Sequence, residues 1–244
     1  MNVLVVLRSL AFYLGYVPTV ALFSTFGFTL GLLCPHRLRQ EVLTYANSII
    51  IWWLKVTCGV EVRVIGETNI PQQPFVALSK HQSSWETYYL QRKLRPVSTI
   101  LKRELLRIPF FGWGLAMTRP IAIDRSSPKT ALKEVLSKGQ LRLAEGNNVL
   151  IYPEGTRIEY GKTGNYGRSG AALAIAAQVP VLPISHNAGA CWPAHKFLKH
   201  PGTVTVVFGE PIYTKGLQSK SLNARVEAWI EDTLASLPKT SHKN

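Results

Sequence analysis

An uncharged segment near the N-terminus constrains this chain more than any other feature. Residues 9–34 carry no charged side chain, whereas Arg8 precedes them and His36 follows. The run is longer than the roughly 20 apolar residues that cross a bilayer. A secretory signal peptide fits poorly, because its apolar region spans about 7–15 residues and ends in a cleavage site of small residues. The sequence predicts a membrane segment, and Pro18 leaves a kinked span and two shorter pieces in one leaflet both open.

A second uncharged stretch, residues 42–54, is too short to cross a bilayer. It contains Trp52 and Trp53, and tryptophan is typical of the membrane interface, so we expect it in the headgroup region. A buried core helix is the alternative. Arg37, Arg39 and Lys55 follow the first segment closely, which predicts that the rest of the chain is cytoplasmic.

The positive net charge predicts an acidic binding partner. The 244 residues include 28 Lys+Arg and 14 Asp+Glu, a net charge of +14, which suits nucleic acid, an anionic membrane surface or phosphorylated substrates. With 46% hydrophobic residues, intrinsic disorder is excluded. Three widely spaced cysteines, Cys34, Cys58 and Cys191, offer neither a disulfide framework nor a paired-cysteine zinc site.

From Val60 onward the hydrophobic pattern alternates between strand and helix periods. Strands are predicted at residues 60–64, 75–79, 97–101, 148–152, 181–185 and 203–208, and helices at 84–94, 127–146, 171–177 and 222–234. This order predicts an α/β fold with a single, mostly parallel or mixed sheet covered by helices. We expect membrane-anchoring helices in residues 1–58 and an α/β domain in residues 59–244.

Two polar constellations follow predicted strands, where α/β folds place their functional residues. In the first, His81 lies five positions before Glu86, which falls at a helix start and can reach back to the imidazole. A surface histidine beside a helix cap is the alternative. The second constellation, residues 152–157, ends in Arg157, whose planar fork suits a phosphate. An ordinary turn with a solvated ion pair is the alternative there.

Taken together, these pieces resemble the glycerolipid acyltransferase family, specifically its 1-acylglycerol-3-phosphate (lysophosphatidic acid) acyltransferases. Four family blocks occur in order between residues 75 and 184, which is far more specific than any one block. The His-x4-Asp block resembles residues 80–86, the second block residues 102–112 and 123–125, the Phe-Pro-Glu-Gly-Thr-Arg block residues 152–157, and the Val-Pro-Val-x-Pro block residues 179–183.

The resemblance implies transfer of a fatty acyl group from acyl-CoA or acyl carrier protein to the sn-2 hydroxyl of lysophosphatidic acid. The product would be phosphatidic acid, in phospholipid biosynthesis at a membrane, expected to be the bacterial inner membrane. His81 would be the general base and Glu86 would orient it. The implied substrate-binding residues are Lys102, Arg125, Glu154, Gly155, Thr156, Arg157 and Arg168. Arg157 and Lys102 would hold the acceptor phosphate, and Glu154 would position its loop.

No cofactor or metal is expected. Five further histidines show no recognisable ligand spacing: His36, His186, His195, His200 and His242. The resemblance implies direct transfer without a covalent acyl-enzyme. The chain also lacks the Gly-x-Ser-x-Gly turn of serine hydrolases, so a serine hydrolase is disfavoured.

Three departures from the family pattern put the acceptor lipid in question more than the reaction. Glu86 replaces the usual aspartate, Lys80 replaces the usual asparagine, and the basic Arg168 lacks the aromatic residue that commonly precedes it. Another lysophospholipid or an aminolipid is therefore an alternative acceptor. A non-catalytic protein of anionic membranes is a less favoured reading. Nucleic-acid binding is disfavoured, because the chain has neither an RNP-type aromatic signature nor a zinc-finger pattern.

Overall fold

The computed structural model describes residues 3–238, which form an α/β fold preceded by two long helices. The α-helices are α1 (Val3–Phe28), α2 (His36–Cys58), α3 (Trp85–Lys93), α4 (Phe111–Met117), α5 (Pro128–Ala144), α6 (Ser169–Ala176), α7 (Ala188–Cys191) and α8 (Ser219–Ser236). The strands are β1 (Val60–Ile65), β2 (Val76–Ser79), β3 (Val97–Lys102), β4 (Ile121–Ile123), β5 (Asn148–Ile151), β6 (Val181–His186) and β7 (Gly202–Phe208).

The strands form one sheet in the order β1-β7-β6-β2-β5-β3-β4. Strands β6, β2, β5, β3 and β4 run parallel, whereas β7 is antiparallel to β6 and parallel to β1. The predicted mixed sheet is therefore confirmed. Strand β4 and helix α4 escaped prediction, because a three-residue strand and a seven-residue helix with two glycines carry little periodic signal.

The central strands are apolar on both faces, because helices cover both sides of the parallel sheet. On β2, Ala77 packs into one core cluster, while Val76 and Leu78 pack into the other. On β5, Leu150 faces the first cluster and Val149 faces the second. Successive side chains thus point to opposite faces, as the strand period of two requires.

The two N-terminal helices share the core of the α/β body. Phe12 of α1 and Ile50 and Leu54 of α2 are buried in the same cluster as Ala77 and Trp85. The helices approach closely at Gly15, where an added Cβ would lie 2.3 Å from Trp53 Nε1. Helix α2 then ends at Gly59, whose φ of +69° is readily adopted only by glycine. The predicted division into an anchoring part, residues 1–58, and an α/β domain, residues 59–244, stays a prediction.

Helix α1 is continuous through Pro18. The side of α1 that faces away from the core is exposed and rich in leucine. Among the described residues it is the one helix with the length and hydropathy to cross a bilayer, a criterion of length and composition alone. The second uncharged stretch, residues 42–54, lies within α2. One side of this helix is buried in the core, as in the alternative of a buried core helix, whereas Trp52 on the other side is 59% exposed. Its place in the headgroup region stays a prediction.

Candidate active site

The carboxyl ends of the parallel strands meet at one edge of the sheet, and a cleft of about 200 Å³ opens there. Because β2, β5, β3 and β4 point the same way, the segments that follow them converge. The cleft is lined by polar residues that include His81, Thr87, Gln91, Lys102, Arg125 and Arg157, and by apolar residues that include Ile100, Leu101, Leu105, Phe111 and Leu115. A larger groove of about 620 Å³ between α2, β1 and α3 contains none of the predicted site residues.

His81 and Glu86 form a direct pair at this cleft. His81 Nδ1 lies 2.8 Å from Glu86 Oε1, so Nε2 is the ring nitrogen left for proton transfer. The same Oε1 accepts the backbone N–H groups of Gln82 at 2.9 Å and Ser83 at 2.8 Å. The Ser83 hydroxyl in turn accepts the N–H of Trp85 at 3.0 Å. Glu86 therefore turns back over the start of α3 much as in a capping box, which fixes its carboxylate beside the imidazole.

The Glu86 carboxylate is fully buried, yet it is held in its ionised form. Burial on its own would raise the pKa of Glu86. The charge interactions with His186 and His81, together with hydrogen bonds from His81 and the Ser83 N–H, outweigh that effect and lower the pKa. An ionised carboxylate can orient the ring and stabilise the imidazolium that forms when His81 takes a proton.

Tyr152 forms the face against which the imidazole packs. Its ring stacks on His81 with centroids 4.1 Å apart and an interplanar angle of 18°. Tyr88 lines the same cleft, and its hydroxyl lies 2.6 Å from that of Tyr16 on α1. Burial, the largest cause, raises the pKa of both Tyr88 and Tyr152 well above the usual value, so both rings stay neutral. The histidine is thus confined between its carboxylate and an aromatic wall.

Three of the predicted substrate-binding cations share the cleft with His81. Lys102 ends β3, Arg125 follows β4, and Arg157 follows β5, and all three line the cleft. The Arg125 guanidinium donates to the carbonyl of Gly155, which ties the loops after β4 and β5 together. This edge of the sheet can therefore attract and hold a phosphate near the imidazole.

The remaining predicted site residues lie in the loop that follows β5 or near its end. Gly155 lines the cleft, with a φ of +69° that its turn requires. Glu154 is buried beneath the loop and bonded to Lys80, whereas Thr156 and Arg168 are exposed and do not line the cleft. The individual roles of all nine predicted site residues stay predictions.

Several residues that contact His81 and its neighbours were not predicted as site residues. His186 accepts the N–H of Ala188 on Nδ1 at 3.3 Å and lies 2.9 Å from the Lys80 carbonyl through Nε2. Burial is the largest cause that lowers the pKa of His186, and because Nδ1 accepts the Ala188 N–H, Nε2 donates to the Lys80 carbonyl. Tyr152 could have been found from its aromatic place in the third block. Glu231 on α8, which pairs with Lys80 from 151 positions away, had no local signal.

Among residues 3–238, no three His, Cys, Asp or Glu side chains are grouped closely enough to hold a metal ion. His242, one of the unassigned histidines, lies outside the described residues. That no metal is needed stays an expectation.

The fold and this site define an α/β enzyme with a histidine–carboxylate pair in a cationic cleft. Residues 61–187 match the family model named Acyltransferase. The chain is 44% identical to the 1-acyl-sn-glycerol-3-phosphate acyltransferase of Pseudomonas aeruginosa, over 97% of this chain and 94% of that one. It therefore belongs to the acyltransferase family, as the ordered blocks indicated.

More distant relatives extend the likeness. The chain is 30% identical to the human 1-acyl-sn-glycerol-3-phosphate acyltransferase alpha, over 85% of this chain and 72% of the human one. Its fold resembles the crystal structure of the 1-acyl-sn-glycerophosphate acyltransferase from Thermotoga maritima, with a TM-score of 0.80 over 98% of both chains. At 24% identity, that similarity establishes the fold alone.

Proposed function

We propose that this chain is a membrane-associated enzyme that transfers a fatty acyl group from a thioester to the sn-2 hydroxyl of lysophosphatidic acid, forming phosphatidic acid. The observation that carries the proposal is the 2.8 Å contact of His81 Nδ1 with Glu86 Oε1, in a cleft that Lys102 and Arg157 also line. The names of the relatives support the choice of acceptor.

In the proposed reaction, His81 Nε2 takes the proton of the sn-2 hydroxyl as its oxygen attacks the thioester carbonyl. Glu86 stabilises the imidazolium through Nδ1. The tetrahedral intermediate then collapses, the C–S bond breaks, and the leaving thiolate recovers the proton from the imidazolium. General-base catalysis contributes about 10²–10⁴-fold, so holding the two reactants together must supply much of the remainder.

Arg157 and Lys102 are proposed to hold the acceptor phosphate. A hydrogen bond to a charged group contributes roughly 1.5–3 kcal/mol, so Arg157→Ala should raise the KM for lysophosphatidic acid by about tenfold or more. The change in kcat should be smaller, since His81 and Glu86 keep their positions. Initial rates against lysophosphatidic acid concentration test this, with Arg225→Ala, an exposed arginine of α8, as the matched control. An unchanged KM would remove Arg157 from this role.

The acceptor and the donor are tested with the purified full-length protein. Radiolabelled acyl-CoA and acyl carrier protein thioesters are offered separately, with lysophosphatidic acid and with lysophospholipids that lack a terminal phosphate. We expect phosphatidic acid as the main product. Faster transfer to a lysophospholipid without the phosphate would contradict the proposed acceptor, and no transfer to any acceptor would contradict the reaction.

We propose membrane association because α1 packs on the protein through one side and exposes apolar residues on the other. Ser9 and Phe12 near its start and Gly27 near its end are all buried against the rest of the protein. Because one side of α1 packs on the rest of the protein at both ends of the helix, insertion into one leaflet is proposed in preference to a full crossing. Its exposed apolar side can enter one leaflet, with the body on the cytoplasmic side, where the basic residues after α1 favour it.

Replacing Leu14 and Leu22 with asparagine should weaken membrane binding. Both side chains lie on α1 and are exposed, by 77% and 68%. Burying a leucine contributes roughly 1.5–3 kcal/mol, so the double variant should bind anionic vesicles at least about tenfold more weakly. Sedimentation with vesicles measures this, and Leu141→Asn on the exposed surface of α5 is the control. Equal binding of the double variant would contradict insertion through α1.

A further inference from the structure

A buried ion cluster lies directly beside the catalytic histidine. Lys80 Nζ is 2.7 Å from Glu154 Oε1 and 2.7 Å from Glu231 Oε1, and it also donates to the Lys162 carbonyl at 3.2 Å. The Lys80 and Glu154 side chains are fully buried, and that of Glu231 is 20% exposed. The cluster joins the residue before His81 to the loop after β5 and to helix α8.

Lys80 supplies the positive charge that two carboxylates of this cluster share. One ammonium group faces two carboxylates, and neutral donors complete their coordination. Tyr166 donates its hydroxyl to Glu231 Oε1 at 2.6 Å, and Thr163 donates to Glu231 Oε2 at 3.0 Å. Without the lysine, the buried Glu154 carboxylate would face the partly exposed Glu231 carboxylate with no positive charge between them, which is unfavourable where water is largely excluded.

The cluster also holds the backbone of His81. The His81 N–H donates to Glu154 Oε2 at 2.8 Å, while the His81 carbonyl accepts the Ile158 N–H at 2.8 Å. Both contacts come from the loop that carries Arg157. The position of the imidazole therefore depends on the orientation of the Glu154 carboxylate, which Lys80 fixes from the other side.

We propose that Glu231 is a positioning residue of the active site, which acts through Lys80 and Glu154 on His81. Lys80 and Glu231 form a co-dependent pair. An asparagine at position 80, as in the family pattern, would be neutral and could not balance a second carboxylate. Lys80 lies between Glu154 and Glu231 and pairs with both, so Glu231 depends on the lysine. The inference rests on the proposed function, because it takes His81 as the general base.

A double-mutant cycle on the full-length protein tests the pair. Lys80→Asn should lower kcat by about thirtyfold or more with a smaller change in KM, because Glu154, which loses its contact with Lys80, bonds the His81 backbone directly. Glu231→Gln alone should cost about threefold. The variant with both changes should regain at least about tenfold over Lys80→Asn, because the second change removes the uncompensated charge. A double variant no more active than Lys80→Asn, or a loss confined to KM, would overturn the proposal.

Two further variants keep the test decisive. Asp232→Asn removes the exposed neighbouring carboxylate of α8 and should change nothing. Tyr166→Phe removes one donor to Glu231 without charge change, and it should lower kcat about twofold to threefold even if Lys80→Asn fails to fold. Wild-type kcat in both Glu231→Gln and Tyr166→Phe would also refute the role.

The same samples separate this inference from the proposed function. Wild-type protein that transfers no acyl group to lysophosphatidic acid would refute the proposed function. Wild-type turnover without rescue in the double variant would refute the role of Glu231. Unfolding temperatures recorded without substrate should show the same rescue, since the unfavourable charge pair exists in the absence of either reactant.

Discussion

Replacing His81 with alanine should reduce acyl transfer to background. The general base contributes about 10²–10⁴-fold, and no other residue holds a free ring nitrogen in the described cleft. The fold should survive, because the substitution keeps the His81 N–H and carbonyl that bond Glu154 and Ile158. Phosphatidic acid formation by the purified variant measures the effect.

The control for this variant is His195→Asn. His195 is exposed, lies away from the cleft and has a positive φ that asparagine tolerates. The unfolding temperature and vesicle binding of His81→Ala should match those of the wild type, which shows that the loss is chemical. Wild-type turnover by folded His81→Ala would contradict the assignment of His81 as the general base.

Replacing Glu86 with glutamine should cost nearly as much. The amide oxygen can still accept the N–H groups of Gln82 and Ser83, so the start of α3 should persist. A neutral amide cannot stabilise the imidazolium, however, and kcat should fall by about 10²-fold or more while KM changes little. Steady-state kinetics on the purified variant measure both constants.

Glu86→Asp separates charge from reach. The shorter side chain keeps the carboxylate but withdraws it from His81 Nδ1, and a misplacement of about 1 Å can cost up to about 10²-fold. We expect turnover between those of the wild type and Glu86→Gln. Glu159→Gln, at an exposed glutamate, is the control. Near-normal turnover of Glu86→Gln would contradict the role of the charge.

Much of the fold could be predicted because its signals are local. The six predicted strands all occur: β2, β3, β5 and β6 are short buried runs, whereas β1 and β7 are partly exposed and were recognised by their strand pattern. Strand β4 could not be predicted, because its three residues gain their identity only from pairing with β3. The direction of β7 was also beyond prediction, since either direction buries the same alternating side chains.

The candidate site also has a part that local sequence predicts and a part that it does not. The pairing of His81 with Glu86 could be predicted because five residues at a helix start bring the two side chains together. The places of Glu154 and Arg168 relative to the cleft follow from the tertiary structure. Glu154 lies beneath the loop rather than in the cleft, and Arg168 is exposed and does not line the cleft.

The sequence by itself determined the α/β class, the apolar N-terminal helix, the histidine–carboxylate pair and the order of the blocks. All of these depend on residue types and short spacings. The tertiary structure decided which cations reach the cleft, and it brought Glu231 to Lys80 across 151 positions. That contact depends on how α8 packs against the sheet, and packing between distant segments leaves no periodic trace in a single sequence.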